Sequence, residues 1–365
     1  MPVPSPPEEA RQFIGSDQAP AAHLDLLNAI SFRSVAAGLR LGVFEALAAG
    51  PLTVAELARR TGTDARGLRP LLDALVGFGY LTATTSATAP GTATTGTTAD
   101  PRYANSPNTA RWLLQDKPDT YLPVLSFWST VLDELWGDLE SSVRHGKPTT
   151  DFYAWLEQRP QTLADFQTML RRLAGWLSEE IVSLVPAPPA GGTLLDLGGG
   201  HAEYAMAFCR AYPNLRATVV DLPGALAQGQ AAIAAAGLAD RITTRAGDLL
   251  TTELGTGHDL VLVFNIVHGY DAPQVATLLE RVAQALRPGG RVAILEPLAE
   301  VPERPPGVAD AFVRAFSLNL FHTQGGRAYA FDELAELLAG AGFTDCERHL
   351  LTRSDTDHLV LAVRP

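Results

Sequence analysis

The chain has 365 residues, 46% of them hydrophobic and 19% charged, a composition that supports a large core and excludes wholesale disorder. With 40 acidic against 28 basic side chains the formal charge is −12, which repels a phosphate backbone and argues against nucleic acid as a partner. Cys209 and Cys346, far apart and without CxxC spacing, support neither a disulfide framework nor a zinc site and fit a reducing cytoplasm. The start, Met1-Pro-Val-Pro-Ser-Pro-Pro-Glu-Glu9, lacks the basic and apolar regions of a signal peptide. No apolar run approaches the roughly 20 residues of a membrane helix. A soluble, cytoplasmic chain is the expectation.

Residues 1–20, rich in Pro, Glu and Gln, read as a flexible tail. Residues 21–105 read as a winged helix. Val35, Leu39, Val43 and Leu47 recur every four positions and predict one helix face, stopped by Gly50-Pro51. Thr53 with Glu56 forms a capping-box pattern for a short helix, and Thr63 or Asp64 caps a second one carrying Leu68, Leu71, Leu72, Leu75 and Val76. The wing, Thr82 to Asp100, has no basic residue for phosphates, which favours a packing or dimerisation module over a DNA reader. Residues 106–190 are helical and contain all five tryptophans (Trp112, Trp128, Trp136, Trp155, Trp176), a core or the wall of an apolar substrate pocket. Val185-Pro-Ala-Pro-Pro-Ala-Gly-Gly192 marks a boundary.

From residue 191 onward strands and helices alternate, predicting an α/β domain with a parallel sheet covered on both faces. The expected strands are Thr193–Leu197, Ala217–Asp221, Ile242–Ala246, Asp259–Phe264 and Arg291–Glu296, the last after a turn at Arg287-Pro-Gly-Gly290. Two late strands, Cys346–Thr352 and His358–Val363, have no helix between them and should pair antiparallel. Ligands bind such sheets at the carboxyl ends of the strands. Gly198-Gly-Gly200 lies there, and Asp221, 21 residues beyond Gly200, suits a ribose diol. A nicotinamide dehydrogenase shares both features, but its GxGxxG spacing would need glycine where this chain has Glu203.

Leu194-Leu-Asp-Leu-Gly-Gly-Gly-His201, Val219-Val-Asp-Leu-Pro223, Gly247-Asp-Leu249, Asn265-Ile-Val-His268 and Leu286-Arg-Pro-Gly-Gly290 occur in order. Together they resemble the class I S-adenosylmethionine-dependent methyltransferases, in particular the winged-helix small-molecule O-methyltransferases, and Gly50-Pro-Leu-Thr-Val-Ala-Glu-Leu57 resembles that family's dimerisation module. The resemblance implies a Rossmann-like seven-stranded sheet and a homodimer. It implies that Asp196, Gly198 and Gly200 surround the methionine part of S-adenosylmethionine. Asp221 and Leu222 then hold the ribose and Asp248 with Leu249 meets the adenine, while Phe264 and Tyr270 are further cofactor neighbours.

Methyl transfer is a direct displacement, so the protein aligns the acceptor and manages its proton. His268 follows the fourth strand, and an imidazole there can serve as a general base; the resemblance puts the catalytic histidine at this position. Glu296 ends the neighbouring strand and would orient it. Phe166, Met169, Phe316, Asn319, Phe321 and His322 are candidate acceptor contacts; His322 alternatively faces solvent. Three departures stand out: Gly269-Tyr270 replaces Asp-Trp, Ala202 replaces a glycine, and Ala328 replaces a second glutamate flanking the histidine. The last leaves N- or C-methylation, or a diverged cofactor binder, beside O-methylation of an aromatic or polyketide-like hydroxyl; a metabolite-sensing regulator is the remaining alternative. No metal is expected.

Overall fold

Capping and glycine positions set where the elements begin and end. The computed structural model describes residues 21–84, 100–299 and 307–365, so the expected tail and most of the expected wing lie outside the described residues. Two compact units divide between Val131 and Leu132. The first contains α1 (Ala21–Arg40), α2 (Val43–Ala46), β1 (Leu52–Thr53), α3 (Val54–Thr61), α4 (Ala65–Gly77), β2 (Leu81–Thr84), β3 (Arg102–Asn105), α5 (Pro107–Trp112) and most of α6 (Leu122–Glu134). Its strands form a small antiparallel sheet in the order β1-β3-β2. The Thr53–Glu56 capping box and the Asp64 cap both form.

One expectation is corrected here. Val35 to Leu47 is not one helix, because Gly42 adopts a left-handed conformation (φ 71°) that only glycine takes cheaply, and the chain turns there. The side chains still converge, with Val35, Val43 and Leu47 buried in one core beside Phe44, Leu72 and Leu75.

The second unit holds α7 (Leu139–His145), α8 (Phe152–Glu157), α9 (Pro160–Leu184), β4 (Thr193–Leu197), α10 (Glu203–Ala211), β5 (Arg216–Asp221), α11 (Pro223–Ala235), β6 (Ile242–Ala246), β7 (His258–Phe264), α12 (Ala272–Ala285), β8 (Leu286–Pro297), α13 (Val308–Gln324), α14 (Phe331–Gly340), β9 (Thr344–Leu350) and β10 (Asp357–Val363). Its seven-stranded sheet runs β6-β5-β4-β7-β8-β10-β9, with β10 antiparallel to both β8 and β9 and the other pairs parallel. The central strands read as unbroken apolar runs because helices cover both faces. Leu260, Leu262 and Phe264 of β7 enter one core, while Val261 and Val263 enter the other.

The expected turn at Arg287–Gly290 is absorbed into β8, which starts at Leu286. Gly289 takes a positive φ of 75° and the register against β7 shifts between His258 and Leu260, so the turn survives as a bulge within the strand. The carboxyl ends of β4, β5, β7 and β8, together with the start of β10, carry the candidate site. Among the described residues no helix is long and apolar enough to cross a membrane.

Candidate functional site

The turn after β4 is built on glycine because side chains have no room there. Gly198 has φ 71° and donates its N–H to the Val220 carbonyl at 2.8 Å. The Gly200 N–H donates to Asp221 Oδ2 at 2.8 Å, and a Cβ on Gly200 would stand 2.7 Å from that same oxygen. The other carboxylate oxygen of Asp221 accepts the N–H of Leu222, the N-cap of α11, at 2.7 Å. Asp196 is 1% exposed and neither of its carboxylate oxygens has a hydrogen-bond partner. Burial, and then the charge of Asp221, push Asp196 up to about 7; burial pushes Asp221 up to about 6. Ala202 keeps the left-handed conformation (φ 59°) that glycine would adopt more easily.

These residues fit an adenosyl sulfonium. A buried carboxylate and a half-buried one, both with unused lone pairs, suit a cation and a diol, and they would repel a pyrophosphate. Tyr270 is half-buried near the same carboxylates: burial, then the charges of Asp248 and Asp221, push its phenol up to about 12. The Asp248 carboxylate is turned to its own loop, accepting the Leu250 N–H at 2.7 Å, while Leu249 is buried beside Gly198. Phe264 lies in the core, edge-on to Tyr204 with ring centroids 4.7 Å apart.

At the end of β7 the chain turns through Asn265 (φ 57°) into a short helical turn, Val267–Gly269. Glu296 Oε1 accepts the N–H groups of Ile266 (2.8 Å) and Val267 (2.7 Å), and its Oε2 lies 2.5 Å from His268 Nδ1. Glu296 is 3% exposed and saturated with donors. A carboxylate accepts, so His268 Nδ1 carries the proton and Nε2 is left as the acceptor nitrogen. Phe316 meets the imidazole edge-on, with centroids 5.5 Å apart, and stacks in turn on Phe312.

The remaining candidate contacts divide. Phe166 and Met169 are half-buried on α9, with Phe166 edge-on to Phe152. Asn319 is buried, its amide oxygen accepting the Trp136 indole N–H at 3.1 Å. Phe321, on the same helix, is half-buried. His322 is corrected as a solvent-facing or acceptor-binding residue. It is 3% exposed, with Nδ1 2.9 Å from Ser142 Oγ and Nε2 3.0 Å from the Leu135 carbonyl, so both ring nitrogens are committed to packing α13 on α7. The five tryptophans do not share one environment: Trp155 is buried, Trp176 is 60% exposed, and Trp112 and Trp128 belong to the first unit.

Two residues that sequence reasoning left out of the site belong near it. The Tyr153 hydroxyl donates to Gln324 Oε1 at 3.3 Å, and desolvation followed by the charge of Asp221 pushes its ionisation upward. Its place among the aromatics of residues 106–190 was the available signal. Asp357, at the start of β10, pairs across the sheet with Pro297, accepts the Ser354 hydroxyl at 2.6 Å, and is raised by burial; Glu296 adds to that rise. No local pattern announces it, because only strand pairing brings it beside Glu296. Among the described residues, no group of three or more His, Cys, Asp or Glu side chains is arranged to hold a metal ion.

Residues 136–344 match the model of the O-methyltransferase domain, and residues 24–116 match that of the O-methyltransferase dimerisation domain. The chain is 31% identical over 324 residues to 3-hydroxy-5-methyl-1-naphthoate 3-O-methyltransferase of Streptomyces sahachiroi, covering 86% of each chain. It is 28% identical to the tetracenomycin polyketide synthesis 8-O-methyl transferase TcmO of Streptomyces glaucescens, covering 89% of this chain and 91% of that one. The solved structure of PigF with SAH superposes with a TM-score of 0.78 at 25% identity, over 94% of this chain and 98% of that one.

Proposed function

Since the chain belongs to the O-methyltransferase family and depends on S-adenosylmethionine, we propose that it methylates a hydroxyl of an aromatic or polyketide-like small molecule, with His268 as general base. The single observation that carries the base assignment is the clamp on His268: Glu296 Oε2 accepts the hydrogen bond from Nδ1–H, which leaves Nε2 as the nitrogen with the free lone pair. The cofactor, when bound, supplies an electrophilic methyl group on a sulfonium with a neutral thioether as leaving group. Asp196 and Asp221 would hold its charged and ribose parts, and Tyr270 would close over the adenosine. Phe316 offers an apolar edge against which an aromatic acceptor lies, so that its hydroxyl meets Nε2. The acceptor oxygen forms its bond to carbon as the proton passes to Nε2, and the imidazolium that results is stabilised by Glu296. Relatives named for naphthoate and tetracenomycin methylation favour a fused-ring phenol as acceptor.

The test is His268→Ala, assayed with a panel of phenols. Turnover should fall roughly 10²–10⁴-fold, the usual contribution of a positioned base, while affinity for S-adenosylhomocysteine stays within about twofold. Unchanged turnover rejects the base and leaves proximity alone to drive transfer.

The same family match supports a homodimer assembled through the N-terminal module. Leu26, Ile30 and Leu41 are 57%, 46% and 41% exposed in that unit, apolar surface that a second copy would cover. Sedimentation at micromolar concentration should find twice the 38.8 kDa chain mass, and a monomer there refutes the dimer.

A further inference from the structure

Gln167, on helix α9, carries a buried amide oxygen without a hydrogen-bond partner. Helix α9 packs along α10, with Ala174, Leu177 and Ile181 sharing a core with Ala205 and Phe208. Arg171 pairs with Glu203, the first residue of α10, at 3.2 Å, so α9 residues before Arg171 overhang the turn of residues 198–202. About two helical turns earlier, Leu163 reaches the start of α11, its Cδ2 standing 3.9 Å from where a Gly224 Cβ would be. Gln167 lies midway on the same face, four residues from each, so the helix carries it between its contacts at the starts of α10 and α11, the two helices that follow the glycine turn and Asp221. It is 6% exposed and its Oε1 has no partner. A buried carbonyl without a donor destabilises the fold that contains it, which marks Oε1 as an acceptor held ready for a ligand.

We propose that Gln167 is a further cofactor-binding residue, its amide oxygen accepting an N–H of the ammonium on the methionine part of S-adenosylmethionine. The inference rests on the cofactor assignment above. An ammonium brings three N–H donors and needs several acceptors. Asp196, also buried and unpartnered at this turn, supplies one and Gln167 a second. The ribose hydroxyls are served by Asp221, which Gly200 and Leu222 already orient. Competing positive charge is low. Burial, and then Arg171, push His201 down to about 4, so this histidine stays neutral, with Nδ1 receiving the Glu203 N–H at 3.2 Å. Arg171 itself is neutralised by Glu203.

Calorimetry on the full chain with two probes tests the assignment. S-adenosylhomocysteine carries the amino-acid part; 5′-methylthioadenosine keeps the adenosine thioether and lacks it. Gln167→Leu should weaken S-adenosylhomocysteine about tenfold or more and leave 5′-methylthioadenosine within about twofold, as expected for one hydrogen bond to a charged group. The ligand-free protein should melt a few degrees higher, since the orphaned oxygen is gone. Gln167→Met, of similar length and without a strong acceptor, should repeat the pattern if leucine packs badly. Unchanged affinity for S-adenosylhomocysteine overturns the proposal. So does equal weakening of both probes, or a lower melting temperature in both variants. Wild-type protein that binds neither probe refutes the cofactor reading itself, which is a different failure.

Discussion

Replacing Glu296 with glutamine changes one atom and inverts the proton arrangement at His268. The wild-type carboxylate accepts from three N–H groups, those of Ile266, Val267 and His268 Nδ1. In Glu296→Gln the amide oxygen keeps the two main-chain donors at Oε1, because that pair is geometrically fixed by the turn after β7. The amide NH2 then faces His268 Nδ1, and a donor against a donor forces the imidazole to the other tautomer. Nε2 would carry the proton and could not take another from a phenol. A wrong tautomer at a paired histidine costs about 10⁴ in turnover in the serine-protease triad. A methyl transfer with an already activated cofactor depends less on the base, so a loss of roughly 10²–10⁴ is expected here.

Stability should separate this variant from Glu296→Ala. Glutamine preserves both main-chain hydrogen bonds and should cost about 1 kcal/mol, whereas alanine strands two buried N–H groups at about 1–3 kcal/mol each. Turnover with a saturating phenol, NMR shifts of the imidazole ring nitrogens and a denaturant melt read the three effects. Near-wild-type turnover in Glu296→Gln, with the tautomer shown to have flipped, refutes the claim that His268 acts as a base.

Three further outcomes are expected. Gly200→Ala places a methyl 2.7 Å from Asp221 Oδ2 and 3.0 Å from the Ala225 carbonyl, so calorimetry should find at least a tenfold loss of S-adenosylhomocysteine affinity and melts a cost of about 1–3 kcal/mol. Asp196, raised to about 7, is held protonated by the ligand-free fold across the window from the ordinary carboxyl range near 4 up to 7. It therefore contributes stability below pH 4 that is lost as pH rises through 7, while affinity for the cationic cofactor rises over the same interval with proton release. Calorimetry in buffers of different ionisation heat should detect that proton, and Asp196→Asn should abolish it. His322→Ala leaves the Leu135 carbonyl and the Ser142 hydroxyl unpaired, so melts should show a loss of about 2–4 kcal/mol while KM for the acceptor in the folded fraction stays unchanged.

The site was legible where its chemistry is local. Glycines crowded after an apolar strand, an aspartate ending the next strand, and a histidine and a glutamate closing two later ones are written in short stretches, and the sheet brings their ends together. His322 shows what local pattern leaves open. A histidine on a helix reads equally well as solvent-facing or ligand-facing until the helix packs, and here α13 turns it onto Ser142 and Leu135. Asp357 was illegible and Tyr153 only hinted at by its aromatic neighbourhood for a related reason: one is placed by antiparallel pairing across β8, the other by a side-chain contact 171 residues away. The single-helix reading of Val35 to Leu47 failed on backbone conformation instead. Its apolar spacing was correct, but Gly42 bends the chain while keeping the same side chains inside.

Charge, more than glycine spacing, separates an adenosyl sulfonium from a dinucleotide at this turn. The glycine-rich turn and the acid after the second strand serve either ligand. Two carboxylates face the gap, Asp196 on β4 and Asp221 at the end of β5, while Glu203 at the first position of α10 is balanced by Arg171. At an effective dielectric near 20, a phosphate charge about 4 Å from one carboxylate would be repelled by about 4 kcal/mol. A single uncompensated contact of that kind costs nearly a thousandfold in affinity. The same carboxylates attract a sulfonium and an ammonium. The raised pKa values carry the same balance: burial and then the charge of Asp221 lift Asp196, and burial lifts Asp221.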